Sequence, residues 1–376
     1  DLMPDYFESF GYNTMAVGKL YHKGDDAKSF DEYGGKFEWF GPKPEKRFNY
    51  DPAWYDNKVG STQTDWGAFP ENDEDMTDYK SAQWAVGKLQ ETHDKPFLLA
   101  VGFVRPHVPW YTPQKWFDHH PLETIQLPPY LSQDFDDIPE GGRLVADVPM
   151  MPTTEELIER GQWKKAVQAY LACITWTDHQ VGKLLDALDA SPYSDNTIVV
   201  LWSDHGYHLG EKNRFAKQAI WERDTRVPLI ISGPGIRPNR HTSKPVELID
   251  MYPTLVELCE LPDNVKNEGQ SLKPLLDDVE AKWGNPAITA YGPVNFAIRS
   301  ERYRYMRYED GSEEFYDMRN DPNEWTNLAT DSSYQSIIAE HRKHIPSNPA
   351  PLAPKSSYDI NEYFIGRLDD WKGLKP

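Results

Sequence analysis

The sequence predicts an α/β protein, a mostly parallel sheet sandwiched by helices, followed by a small C-terminal antiparallel α+β subdomain. Three observations carry this. Phe97 to Phe103, Thr197 to Trp202 and Val227 to Ser232 are apolar runs without alternation, as strands buried on both faces are. Between the first two, Trp163, Val167, Tyr170, Ile174, Val181, Leu185 and Leu188 step largely by three and four, which marks a long amphipathic helix. Strand, helix, strand in that order indicates a parallel sheet covered on both sides. After about residue 286 the pattern changes: Phe296 to Ser300, Tyr303 to Tyr308 and Glu314 to Tyr316, with a turn at Glu309-Asp310-Gly311, alternate like an antiparallel meander.

The elements follow in order. Leu2 to Phe10 places Leu2, Tyr6, Phe7 and Phe10 at helical spacing, with Gly11 as a stop. Asn13 to Val17 is a short strand, and Gly18 to Gly24 a loop after it. Residues 25 to 75, rich in Gly, Pro, Asp and aromatics without sustained periodicity, read as a long decorated loop. Thr77 to Thr92 is a helix with Ala82, Ala85, Val86 and Leu89 on one face. The strand at 97 ends in Val104-Arg105-Pro106-His107-Val108-Pro109-Trp110, and 118 to 155 is again irregular. The expected divisions are 1–285 for the α/β body, 286–345 for the antiparallel subdomain and 346–376 for a Pro- and Ser-rich surface strap.

A formal net charge of -20 argues against nucleic acid and against an anionic membrane surface as partners. No apolar run approaches the roughly 18 residues of a spanning helix. With 13 Trp and 21 Tyr, the chain has more flat rings than a core needs, and such rings also suit sugar faces. Two cysteines, Cys173 and Cys259, are too few for a disulfide framework. The chain opens on Asp1 with what reads as mid-domain sequence, so an N-terminal part, and with it any signal peptide, is expected to be missing.

In a parallel sheet, ligands bind beyond the carboxyl ends of the strands. Three predicted strands end in polar clusters: Lys19 and His22 after the first, Arg105 and His107 after the second, Asp204 and His205 after the third. So much basic character at one rim points to an anionic ligand. Asp204 would repel that ligand unless a hard divalent cation lay between them. Taken singly, Asp204 would serve equally as a helix N-cap, His205 as a surface histidine, Lys217 as a solvated lysine and His107 as a loop histidine bound to main chain. His107, between prolines, would hold a fixed direction, and an imidazole suits protonation of a leaving oxygen near neutral pH.

The blocks Asn13 to His22, Phe97 to Trp110 (FLLAVGFVRPHVPW), Thr177 to Leu188, SDHGYHLGE from Ser203, Phe215-Ala216-Lys217, Thr225 to Ile231 and Phe315 to Leu328 resemble, in order and spacing, the type I sulfatases of the alkaline phosphatase-like superfamily. Within them the chain is most similar to iduronate-2-sulfatase and its bacterial relatives. The resemblance implies hydrolysis of sulfate esters on a sulfated carbohydrate, a glycosaminoglycan or an algal polysaccharide. It implies Ca2+ and a formylglycine made from a cysteine in Cys-x-Pro-x-Arg, and a periplasmic, secreted or lysosomal setting. By position, Asp204 and His205 would be calcium ligands, and Lys19, His22 and Lys217 would hold the sulfate and the nucleophile. His107 would bind sulfate or protonate the leaving alcohol, with Arg105 and Trp110 on the substrate side. Each preorganised cation at such a site is worth roughly 3 kcal/mol in the transition state.

One departure is serious. Cys173 is followed by Ile-Thr-Trp and Cys259 by Glu-Leu-Pro, and no Ser-x-Pro-x-Arg occurs either. Either the chain is a fragment of a longer gene or the N-terminal part is a separate polypeptide; a fragment is the expectation, and the chain as it stands is expected to be unable to turn over substrate. Two rivals remain: a phosphoesterase of the same superfamily, which needs further metal ligands where His241 alone is in a plausible place, and an inactive sulfatase-like protein that binds sulfated glycans.

Overall fold

The computed structural model describes residues 2–22, 26–38, 40–49, 64–147 and 151–350. In chain order the elements are α1 (Met3–Ser9), β1 (Asn13–Gly18), β2 (Glu32–Tyr33), β3 (Trp66–Ala68), α2 (Thr77–Gln90), β4 (Phe97–Gly102), β5 (Trp110–Thr112), α3 (Gln114–Asp118), α4 (Glu140–Ala146) and α5 (Thr154–Glu159). After them come α6 (Trp163–Asp189), β6 (Val199–Trp202), α7 (Glu222–Thr225), β7 (Leu229–Ser232), α8 (Met251–Leu258), α9 (Lys273–Asp277), β8 (Ala287–Tyr291), β9 (Asn295–Arg299), β10 (Tyr303–Arg307), β11 (Glu313–Asp317) and α10 (Gln335–Arg342). The expected surface strap from 346 lies, beyond residue 350, outside the described residues.

By contact the chain forms two units. The first takes its described residues from within 2–127 and from 155–197; the second from 128–154 and 198–350. In the first unit β1 lies between β2 and β4, both parallel to it, and β3 pairs parallel with β5. The parallel arrangement is the expected one, and the apolar β1 is buried from Thr14 to Gly18. The short strands β2 and β3 fall in the stretch expected to be loop. Long-range register fixes them, since a run of two or three residues has no period to read.

Helix α6 packs on α2 in the first unit. Its covered face is Ala166, Ala169, Ala172, Cys173, Trp176 and Gln180, whereas Ile174 and Leu185, expected in the core stripe, are each 42% exposed. Small side chains let two helices approach closely, and that moves the contact off the bulkier residues.

The second unit contains the ribbon β6–β7. The two strands pair antiparallel, with Val199 opposite Ser232 and Trp202 opposite Leu229, which corrects the expectation that both join a parallel sheet. The reason is that an unbroken apolar run carries no information on strand direction. Nor is the ribbon sealed on both faces, since Trp202 is 43% and Ile230 58% exposed. The sheet β11-β10-β9-β8 is antiparallel throughout, as the alternation predicted. One face of it, Ala297, Met306, Tyr308 and Tyr316, packs with Ile138, Val145 and Trp221, and the other, Ile298, Tyr305 and Phe315, with Ile338 of α10. Among the described residues no helix is long and apolar enough to cross a membrane.

Candidate active site

In the first unit the ends of β1 and β4 meet without room for a side chain. Gly18, at φ +83°, stands opposite Gly102, and a Cβ on it would lie 2.0 Å from the Gly102 carbonyl oxygen. The Lys19 N–H donates to that same oxygen at 3.0 Å. Lys19 therefore leaves its strand beside the loop that carries Arg105 and His107. Its side chain is half-buried, and His22, three residues further on, is exposed.

The loop after β4 is tied down from inside. Asp78, in the first turn of α2 and 1% exposed, accepts the N–H groups of Val104 at 2.8 Å and Arg105 at 3.0 Å. The Arg105 guanidinium donates to three main-chain carbonyls: Tyr111 at 3.1 Å, His107 at 3.2 Å and Phe40 at 2.9 Å. Buried Asp65 accepts the N–H groups of Phe48, Asn49 and Trp66 and the Tyr111 hydroxyl. Held this way, His107 is half-buried, with Nδ1 2.7 Å from the Val108 carbonyl and its ring 5.3 Å from that of Phe40. A carbonyl only accepts, so Nδ1 carries a proton and Nε2 is the nitrogen whose lone pair can act as a base when the ring is neutral.

Arg105 and Trp110 take a different part from the one expected. Arg105 is 4% exposed, and its donors go to main chain; Trp110 is wholly buried, and its indole N–H donates to the Pro106 carbonyl at 2.9 Å. Both side chains are thus buried against main chain, where a substrate-side place was expected. They brace the loop that aims His107.

In the second unit, Asp204 and His205 follow the end of β6. The Asp204 side chain is 56% exposed and that of His205 33%. His205 Nδ1 lies 2.7 Å from the Gly206 carbonyl, so this nitrogen too carries the proton and Nε2 the lone pair. The Lys217 ammonium lies 2.9 Å from Nε2 and donates to it, while Asp204 Oδ1 is 3.7 Å from the same nitrogen. An ammonium and a carboxylate thus flank one imidazole.

Ca2+ takes about six to eight oxygen ligands. Among the described residues no group of three His, Cys, Asp or Glu side chains is placed to hold a metal. Asp204 is a suitable hard ligand, but His205 offers a nitrogen already taken by Lys217. The described residues do not by themselves fit a calcium ion. Neither cysteine suits the nucleophile: Cys173 is fully buried in α6, where burial pushes its thiol up to about 12, and Cys259 caps the end of α8.

The residues that sequence reasoning missed are the ones that hold these loops. Lys212, 2% exposed, reaches Asp134 at 2.7 Å and the Glu324 carbonyl, and lies over the rings of Trp221 and Tyr316 at 5.5 and 5.4 Å. Asp78, Asp224, His208 and Arg214 belong to the same class. No local signal marks them, since Asp78, Lys212, Arg214 and Asp224 each stand among other charged residues in the sequence.

The fold is the α/β fold of the sulfatase and alkaline phosphatase kind. A solved structure of a 2-O GAG sulfatase superposes with a TM-score of 0.66 at 23% identity, covering 99% of this chain and 76% of that one. The Sulfatase family model matches residues 1–261, a model of the N-sulphoglucosamine sulphohydrolase C-terminal region matches 210–349, and the chain belongs to the sulfatase family. A sulfatase of Formosa agariphila is 47% identical over 96% of this chain and 72% of its own length. Iduronate 2-sulfatase of Mus musculus is 29% identical over 89% of the chain and 77% of its own.

Proposed function

We propose that this protein hydrolyses sulfate esters of a sulfated carbohydrate, a glycosaminoglycan or an algal polysaccharide, in the periplasm, outside the cell or in a lysosome. The observation that carries the reading is the Lys217–His205–Asp204 cluster after β6, where a 2.9 Å lysine–imidazole contact stands beside an exposed carboxylate. Likeness to the family gives Lys217, Lys19 and His22 each the role of holding sulfate, and gives His107 that of binding sulfate or giving a proton to the departing alcohol. Likeness to an iduronate 2-sulfatase and to a 2-O GAG sulfatase supports a sugar substrate. The nucleophile, a formylglycine, and the remaining calcium ligands beside Asp204 come in this proposal from sequence outside the chain, because neither cysteine here stands in Cys-x-Pro-x-Arg. That same absence favours a second reading, a sulfated-glycan binder without turnover.

The test is sulfate release by the full-length protein from a panel of sulfated oligosaccharides. Release is expected, with kcat/KM lowered about 10²- to 10³-fold in Lys217→Ala, the scale for one preorganised donor at a transition state. Binding of the panel without release supports the second reading. Cleavage of phosphate esters with no sulfate released overturns both.

A further inference from the structure

Lys217 and His205 are twelve residues apart in sequence, so their contact depends on how the intervening chain is folded back. Three buried residues outside the proposed reaction govern that path, through side chains and main chain. Asp224 in α7, 4% exposed, accepts the Gly206 N–H on its main-chain oxygen at 2.7 Å and faces His208 Nδ1 with its carboxylate at 2.8 Å. The first of these contacts is possible because residue 206 has no side chain: a Cβ there would lie 1.9 Å from the Arg223 carbonyl oxygen. Arg214 has Nη1 4.0 Å from the second Asp224 oxygen and donates through Nη2 to the carbonyl of Lys217 at 2.6 Å. The His208 N–H donates to Ala216 at 3.0 Å. Every one of these bonds ends on, or within one residue of, His205 or Lys217, or joins two members of the set. Among the described residues His208 Nε2 has no hydrogen-bond partner, and the side chain is sealed from solvent, as suits a group that positions and does not meet substrate.

We infer that Asp224, His208 and Arg214 are positioning residues that hold the Lys217 ammonium against His205 Nε2. The inference rests on the proposed function only where it speaks of turnover; the ordering of the loop stands apart from it. Since Nδ1 is the nitrogen that works, the geometry of a replacement decides the outcome more than its size. Asparagine puts an amide N–H near the place of Nδ1, whereas glutamine, closer to histidine in length, puts it near Nε2.

The experiment is hydrogen exchange by mass spectrometry on the full-length protein, read over 203–217, together with kcat and KM for sulfate release. In His208→Gln and Asp224→Ala, exchange in 203–217 should rise at least about tenfold while the sheet strands from 287 to 317 stay protected. In these variants kcat should drop about 10²-fold with KM within about threefold, as for a group displaced by about 1 Å. His208→Asn should keep both near wild type. Wild-type exchange in His208→Gln, or equal damage in His208→Asn, would overturn the inference, as would exchange rising alike in 287–317. Should Asp224→Ala fail to fold, the His208 pair alone decides. A wild-type enzyme that releases no sulfate from any substrate counts against the proposed function, while the exchange data still judge the positioning set.

Discussion

The loop after β4 and the loop after β6 each carry candidate residues away from a strand end, but side chains bonded mostly to main chain hold the first, whereas the second adds buried side-chain pairs to its main-chain bonds. Asp78 takes two N–H groups, and Arg105 spends its guanidinium on carbonyls. The second loop hangs on the pairs His208–Asp224 and Lys212–Asp134, with Arg214 beside the first. The two anchoring carboxylates differ accordingly. Burial lifts the Asp78 carboxyl above its ordinary range in spite of Arg105 and the two N–H donors. Burial pushes Asp224 the same way, yet His208 and Arg214 outweigh it and hold the carboxyl below that range. A carboxyl keeps acceptor capacity when protonated, so the first loop depends less on charge than the second.

The largest expected effect is on the first loop. Asp78→Ala strands two buried N–H groups and leaves the buried Arg105 cation without its neighbour, which should cost about 3–5 kcal/mol. Urea unfolding measures it. Asp78→Asn keeps one acceptor but turns an N–H toward the other donor, and it should recover less than half. A cost below about 1 kcal/mol for the alanine variant would mean that the carbonyl bonds of Arg105 hold the loop unaided, and the contrast between the loops would lose its basis.

The second effect distinguishes the loops by pH. Glu324, 2% exposed, gives its main-chain oxygen to Lys212 and its carboxylate to the Glu222 N–H and to Arg304; burial pushes the carboxyl up to about 7. Between the ordinary value of 4.5 and about 7, the unfolded chain has lost this proton while the folded chain keeps it. Stability therefore falls as pH rises through the window and is fully present below it, with a total on the order of 3 kcal/mol. Glu324→Gln still accepts from Glu222 but does not titrate. Its urea midpoint should fall less than that of wild type between about pH 5 and pH 8. Equal falls would place the pH dependence elsewhere.

These anchors also mark how far the sequence could be read. Helix α6 and the meander β9–β11 were legible because their periodicity runs through most of each element, and β1 and β4 because they are short apolar runs. Helices α3, α4 and α5, at five to seven residues, are too short to show a period. Lys19, His107, Asp204 and His205 stand out as candidates because their place in sequence, just after a strand, carries meaning of its own. Lys217 came only through likeness to a family. Asp78 and Asp224 act across 26 and 16 residues, on Val104 and His208 respectively, and no local pattern records such a contact. That Arg105 and Trp110 are buried was not legible for a related reason, since a strand end has an inner as well as an outer side, and composition does not tell them apart.

The smallest effect is chemical, and it sharpens the account of the first loop. Cys173 is wholly buried in α6; one turn on, the Thr177 hydroxyl lies 3.0 Å from the Cys173 carbonyl and 3.2 Å from that of Arg105. Its thiol, pushed up to about 12 by burial, with Asp78 adding and Arg105 opposing, is almost wholly protonated at neutral pH. Cys259 is half-buried at the end of α8. Because the thiolate is the species that reacts, iodoacetamide at about pH 8 should label Cys259 and spare Cys173 until denaturant is added. If Asp78 closes the loop over this helix, Asp78→Ala should make Cys173 react slowly without denaturant, as local opening admits water before global unfolding does. Labelling of Cys173 in the native wild type at the rate of Cys259 would show that the loop opens freely with Asp78 in place, and that two main-chain hydrogen bonds do not hold it shut.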